Sequence, residues 1–296
     1  KKNTINKLYS LLVIFYSIIK SFFILKKEKP DLIFGFGGYV SFPISFASKF
    51  FNIPLVIYEN NMILGRANKY LSFFAKKIFI AKKIVKNFPK KYNSKTFVVG
   101  SVLKKSIINL KDLKKKNNDS FSILVLGGSQ GTEVFGKVVP EVIKMIKMKG
   151  YDIQIMQQCL SSQKNSLVDF YDKNKIKNYV FEFEKDILEL VLSSNLAITR
   201  CGASTTAELA QTLTPFIAVP LPDSIDNHQY LNAKYYEDKG CCLILEQNNF
   251  NSKNLFNLVM ETIENKSKLK SLSENMKKNS SKTVYEDIEK EIKKII

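Results

Sequence analysis

The sequence is poor in the residue types that most enzymes lean on. It has no tryptophan, one histidine (His228) and only two arginines, Arg66 and Arg200, against 46 basic residues in all. A single histidine excludes histidine-rich metal sites and any catalytic pair of histidines. The four cysteines, Cys159, Cys201, Cys241 and Cys242, show neither a CxxC pair nor a Cys/His zinc spacing. Cys241 and Cys242 stand side by side in an apolar run, where they read as small core residues of a chain in a reducing compartment. A Walker loop (GxxxxGK[ST]) is missing, and GFGGYV lacks the third glycine of GxGxxG, which argues against a nicotinamide or flavin enzyme.

What is abundant is lysine. The net charge of +19 raises the question of nucleic acid. The lysines, however, are spread along the whole chain amid much Asn, Ile, Phe and Tyr, a compositional background rather than a basic stripe interleaved with stacking aromatics. Attraction to an anionic membrane surface ranks ahead of nucleic acid. Residues 8–25, LYSLLVIFYSIIKSFFIL, form the most apolar stretch and are flanked by Lys7, Lys26 and Lys27. Their length is borderline for a membrane span. We expect a helix that packs on a domain on one side and touches lipid on the other.

From residue 31 on, short apolar runs alternate with helical patterns. Strands are expected at 31–34, 55–58, 77–80 and 96–99, with helices at 40–50 and 65–75 between them. A polar, lysine-rich stretch at 111–120 reads as a linker. A second series begins with FSILVL (121–126) and continues with IQIM, YVFEF, LAIT, FIAVP and CCLIL. A helix near 226–239 should end at Gly240. Such alternation predicts parallel sheets covered on both faces. The expected organisation is two doubly wound, Rossmann-like α/β domains facing a cleft: residues 1–110, the linker 111–120, and residues 121–296. Ligands of open parallel sheets sit beyond the C-terminal strand ends.

Three strand-to-helix turns there are rich in small residues: GFGGYVSFP after residue 34, GGSQGTEVF after residue 126 and RCGASTTAE after residue 199. Glycine lets a ligand approach the backbone, and helix N-termini attract phosphate. In the third turn Ser204 or Thr205 can cap the helix, and Thr205 with Glu208 matches a capping box. The alternative for Glu208 is a carboxylate that accepts hydrogen bonds from two ribose hydroxyls. Spacing alone favours the capping box.

GFGGYVSFP, ENNMILGRANK, LGGSQG, TRCGASTTAELA and PLPDSIDNHQYLNA, in this order, resemble the MurG family, from about Pro30 to the CCLILEQ strand. The resemblance implies a GT-B glycosyltransferase that adds N-acetylglucosamine from UDP-GlcNAc to lipid-linked N-acetylmuramyl-pentapeptide in peptidoglycan synthesis, with inversion and no required metal or cofactor. It also implies a peripheral enzyme on the cytoplasmic face of the bacterial plasma membrane, and a last helix that packs back on the first domain. Ser129 would meet the diphosphate. Ala203, Ser204, Thr205, Thr206, Ala207 and Glu208 would line the nucleotide, with Glu208 on the ribose. Glu184 would present its backbone to uracil, and Gln229 would bind sugar hydroxyls. Asn61 lies near the transferred sugar, with Gly37, Gly38, Tyr39 and Glu59 on the acceptor side. His228 is expected to be a structural or binding residue.

The departures are equally specific. The family's opening glycine-rich loop ending in histidine, with its strand, has no counterpart, so the first domain is expected to be incomplete and the catalytic base is unassigned. Tyr58-Glu59-Asn60-Asn61 stands for HEQN, and Lys104 replaces the arginine of GNPVR by a point charge. Rival readings are another GT-B UDP-sugar transferase acting on a lipid and a truncated chain that binds donor without turnover.

Overall fold

A computed structural model describes residues 2–83, 85–108, 110, 120–128, 133–279 and 283–296, with side chains from residue 9 on. The stretch 111–119 of the expected linker and Ser129 lie outside the described residues. The chain divides into two compact units, Lys1–Val102 with Thr283–Ile296, and Leu103–Lys282. Lys104 thus groups with the second unit.

The first unit contains α1 (Lys2–Glu28), β1 (Ile33–Gly35), α2 (Gly38–Ala47), β2 (Leu55–Glu59), α3 (Arg66–Leu71), β3 (Lys77–Ile80) and β4 (Thr96–Val98). The four strands form one parallel sheet in the order β1-β2-β3-β4. β2 is apolar at four consecutive positions because helical or loop segments cover both of its faces, so alternation gives way to a continuous run.

The second unit contains α4 (Lys105–Ile108), β5 (Phe121–Leu126), α5 (Glu133–Met148), β6 (Ile153–Gln158), α6 (Lys164–Lys173), β7 (Lys177–Phe181), α7 (Ile187–Leu192), β8 (Leu196–Thr199), α8 (Ala203–Gln211), β9 (Phe216–Ala218), α9 (His228–Glu237), β10 (Cys242–Ile244), α10 (Ser252–Glu264) and α11 (Lys266–Lys278). Its six strands are all parallel, in the order β10-β9-β8-β5-β6-β7. Ile123 and Val125 of β5 face α5 and α10, while Leu124 and Leu126 face the side that α8, α9 and α11 cover. Cys241 and Cys242 are buried on that second side. The order reverses direction between β5 and β8, which makes their C-terminal tips the topological switch point.

The last helix, α12 (Val284–Ile292), belongs to the first unit. Ile288, Ile292 and Ile295 pack with Val56, Tyr58 and Phe79, and Lys77 pairs with Glu291. At the other end, α1 buries Ser21 and Leu25 and sets Phe22 in tilted ring contacts with Phe50 and Phe51. Tyr9, Leu11, Leu12, Phe15, Tyr16 and Phe23 stay more than half exposed. By length and composition α1 is also apolar enough to cross a membrane.

Candidate functional site

In the second unit the turns after β5 and β8 lie side by side. Leu126 pairs with Thr199, and Arg200 N–H donates to the Leu126 carbonyl at 3.1 Å. Gly128, at φ 85°, adopts a left-handed conformation that favours glycine, and a Cβ there would sit 4.0 Å from that of Arg200. The turn is anchored from β6: Gln158 accepts from Gly127 N–H through Oε1 at 3.1 Å and donates through Nε2 to the Glu182 carbonyl.

The RCGAS turn is held more firmly still. Gln229 Oε1 accepts from Cys201 N–H at 3.0 Å and from Leu221 N–H at 3.1 Å. One helical turn on, Asn232 Nδ2 donates to the Cys201 carbonyl at 3.1 Å. Both faces of the Cys201 backbone are therefore clamped by α9, three residues apart as helical spacing requires. Arg200 is only 6 % exposed. Its guanidinium donates to the Val219 and Pro220 carbonyls and to Gln247, and lies 5.0 Å from the Phe135 ring centre. Burial pulls its pKa below the usual arginine value. Arg200 is thus a tie between loop ends, not an exposed anion ligand.

Helix α8 starts at Ala203, and its cap is Gly202, with no side-chain capping hydrogen bond. This corrects two expectations. Neither Ser204 nor Thr205 caps the helix, and the capping box of Thr205 with Glu208 does not form. The helix begins earlier than the spacing suggested, so Thr205 is its third residue and Glu208 its sixth, past the reach of a capping carboxylate. The first N–H groups of an α-helix have no acceptor within it, and the cap residue here, Gly202, has no side chain to supply one. The result is a positive helix end beside the Gly127–Gly128 turn, suited to a diphosphate.

Glu208 is half-buried, and among the described residues its carboxylate has no hydrogen-bond partner. Burial raises its pKa, and the charge of Lys104 works the other way. Ala203, Ser204 and Thr205 are at least partly exposed on the first turn of the helix. Thr206 and Ala207 are buried, and the Thr206 hydroxyl donates to the Gly202 and Ala203 carbonyls. Glu184 accepts from Tyr179 Oη at 2.7 Å and from Asp186 N–H at 3.0 Å, which holds its pKa low. Its side chain fastens its own loop. His228 Nδ1 lies 2.8 Å from the Ile225 carbonyl, at a helix start where Asp226 and Asn227 take left-handed backbone angles. Among the described residues no three or more His, Cys, Asp or Glu side chains converge as metal ligands would.

In the first unit the residues expected on the acceptor side gather at the C-terminal tips of β1 and β2. Glu59, at the end of β2, is 4 % exposed. Its Oε1 accepts from the backbone N–H and the side-chain amide of Asn61, at 3.0 and 3.1 Å. Its Oε2 accepts from Gly65 N–H at 2.9 Å and Asn68 Nδ2 at 3.0 Å. The carboxylate therefore shapes the loop that displays Asn61. Gly37 caps α2 without a side-chain hydrogen bond, and Gly38 follows at φ 75°. Tyr39, at 83 % exposure, stands free on the first turn of α2. Asn68, Gln158 and Asn232 were not anticipated from the sequence. Each is a carboxamide whose backbone partners lie ten or more residues away along the chain, and only the motif strings around Asn68 and Asn232 hinted at them.

Comparison with known proteins identifies the family and the fold. The model of the glycosyltransferase family 28 C-terminal domain matches residues 122–291, and that of the family's N-terminal domain matches residues 1–80. A UDP-N-acetylglucosamine–N-acetylmuramyl-(pentapeptide) pyrophosphoryl-undecaprenol N-acetylglucosamine transferase of Pelagibacter ubique is 35 % identical over 281 residues, covering 95 % of this chain and 78 % of its own. A Rickettsia canadensis protein of the same name is 37 % identical over 265 residues, with coverage of 88 % and 75 %. The crystal structure of Acinetobacter baumannii MurG superposes with a TM-score of 0.78 at 26 % identity, covering 96 % of this chain and 80 % of that one. S. aureus MnaA with UDP, at a TM-score of 0.72 and 15 % identity over 96 % of this chain and 81 % of that one, shares the fold.

Proposed function

The chain belongs to glycosyltransferase family 28, has the two-domain GT-B fold and is a UDP-N-acetylglucosamine-dependent transferase, and from that premise we propose how its residues divide the work. The reaction moves N-acetylglucosamine from UDP-GlcNAc to the C4 hydroxyl of lipid-linked N-acetylmuramyl-pentapeptide. The acceptor oxygen attacks the anomeric carbon from the face opposite the leaving group. A bond forms from that oxygen to C1 while its proton passes to the unassigned base or to water, the bond from C1 to the diphosphate oxygen breaks, and UDP leaves with the negative charge.

One observation carries the donor half: the start of α8 at Gly202 lies against the Gly127–Gly128 turn at the switch point, and Glu208, whose carboxylate has no hydrogen-bond partner among the described residues, stands farther along the same helix. The N–H groups there would take the diphosphate and stabilise the charge that develops on it. Ser129 follows Gly128 directly and would join them. Glu208 would accept from the two ribose hydroxyls, and Lys104, near enough to influence that carboxylate, would balance its charge. The amide nitrogen of Gln229, whose oxygen is already committed, would donate to sugar hydroxyls. The backbone of the Glu184 loop would meet uracil. Asn61 would contact the donor's transferred sugar, and Gly37, Gly38, Tyr39 and Glu59 would serve the acceptor, with Glu59 acting through the loop it braces. The exposed apolar face of α1, with lysines at its ends, would seat the enzyme on the anionic cytoplasmic surface of the plasma membrane.

The test is transfer of labelled N-acetylglucosamine from UDP-GlcNAc to the lipid-linked acceptor by the natural full-length polypeptide. Labelled lipid with matching release of UDP is expected. UDP release into water alone, or no release, would contradict the reading.

A further inference from the structure

The least explained group in the first unit is the side chain of Asn68. It is 2 % exposed. Its Nδ2 donates to the Tyr58 carbonyl and to Glu59 Oε2, both at 3.0 Å. Its Oδ1 is buried and, among the described residues, has no donor. A buried acceptor left unmatched is costly, and each such group calls for an explanation.

The neighbour on that side is Gly37. A Cβ built there would lie 2.9 Å from Nδ2 and 3.3 Å from Oδ1, so any side chain at position 37 would collide with the carboxamide. Gly37 has φ 78° and ψ −167°, a region that essentially only glycine occupies. The bare backbone of the GFGG turn is thus laid directly on the Asn68 amide. A continuous chain of contacts results. It runs from the start of α2 at Gly37, through Asn68, to Glu59 Oε2, and from Glu59 Oε1 to Asn61.

We propose that Asn68 is a positioning residue that joins the two acceptor-side turns of the first unit, its Oδ1 receiving a backbone N–H of the Gly37–Gly38 turn when the acceptor is bound. The proposal rests on the acceptor-half reading given above. The bound acceptor draws the turn at the start of α2 into a tighter conformation. Oδ1 then gains its missing donor, and the carboxamide, pinned by its nitrogen to Glu59, fixes the Asn61 loop at the same time. Acceptor binding at one turn thereby sets the geometry of the other.

Two variants test this in the full chain, Asn68→Asp and Asn68→Ala. Asn68→Asp keeps the shape and an oxygen toward Gly37 but removes both donated hydrogen bonds. It also sets a second carboxylate about 3 Å from that of Glu59, the ionisable side chain that Asn68 touches, so the two repel when both are ionised and share a proton as pH falls. We expect kcat/KM for the lipid acceptor to fall about tenfold or more, with UDP-GlcNAc affinity within about twofold of wild type. Activity of Asn68→Asp should recover as pH is lowered, because the shared proton restores a donor between the two groups. Wild type and Asn68→Ala should show no such recovery. Amide exchange at Asn61 and Gly65 should quicken in both variants.

Wild-type kcat/KM in Asn68→Asp at all pH values would overturn the proposal. So would a loss that falls equally on donor affinity, since that marks general unfolding. Absence of transfer by the wild-type chain would instead overturn the reading of the reaction. In that case unchanged exchange at Asn61 and Gly65 in the variants would overturn the Asn68 proposal separately.

Discussion

Replacing Glu208 by alanine separates a ligand-binding carboxylate from a helix-capping one. The sequence pattern around it is that of a capping box, and losing such a box costs a helix about 1 kcal/mol. In the structure Glu208 is the sixth residue of α8, and no group of the described chain bonds its carboxylate. Burial without a partner is unfavourable for a charge, so removing it should leave the melting temperature unchanged or slightly raised. For the donor the ledger reverses. Two hydrogen bonds from ribose hydroxyls to a carboxylate are worth about 1.5 kcal/mol each at the low end, and their loss gives about 3 kcal/mol, roughly a hundredfold in Kd. Calorimetric titration with UDP-GlcNAc beside thermal melts measures both quantities. A variant that melts several degrees lower and binds UDP-GlcNAc as well as wild type would refute the reasoning.

The raised pKa of Glu208 adds a pH signature. The folded chain holds this proton to a higher pH than the unfolded one, so the stability it contributes is complete below the unfolded value and is lost as pH rises through the folded value. Donor affinity needs the ionised form and should fall as pH drops through that same raised value, an opposition that paired melts and titrations would expose. Gln229→Leu leaves the N–H groups of Cys201 and Leu221 without their acceptor and should cost about 2 kcal/mol in denaturant unfolding, with donor affinity falling at the same time. Glu291 is held below the usual carboxylate range by hydrogen bonds from Lys294 and Lys77. Its contribution is present above the unfolded value and is lost as pH falls through the lowered one, so Lys77→Met should lessen the acid sensitivity of the first unit in pH-dependent melts. Replacing Phe15 and Phe23 of α1 by glutamate should weaken sedimentation with anionic vesicles at least tenfold, since each buried Phe side chain is worth about 1.5–3 kcal/mol, while leaving binding of soluble UDP-GlcNAc intact.

Much of the architecture was readable from local pattern, because parallel strands covered on both faces leave apolar runs that helical periods separate. Every expected strand of the described chain is present with its ends shifted by no more than a few residues, as for β1, which begins at Ile33 and takes in Gly35. The positions of the small-residue turns were equally plain, since close approach to a ligand or to a neighbouring strand needs glycine. What the pattern concealed was which side chain does which task. Thr205 and Glu208 have the spacing of a capping box, but Gly202 in extended conformation starts the helix first, and a three-residue spacing carries no information about where a helix begins. Arg200 stands out in the sequence only as one of two arginines. Its partners, the carbonyls of Val219 and Pro220 and the amide of Gln247, come from strand ends that only the folded sheet brings near. Glu59 is expected on the acceptor side, and nothing in the pattern reveals that its carboxylate braces Asn61, Gly65 and, on α3, Asn68.

The most direct test of the central claim, that the tips of β5 and β8 grip the donor's diphosphate, is amide chemical-shift mapping of the intact chain titrated with UDP-GlcNAc. The account predicts that the largest changes fall on Gly127, Gly128 and the backbone from Cys201 to Thr205, and that UDP alone reproduces most of them. Shifts confined to the β1–β4 unit, or saturating UDP-GlcNAc with those amides unmoved, would contradict it.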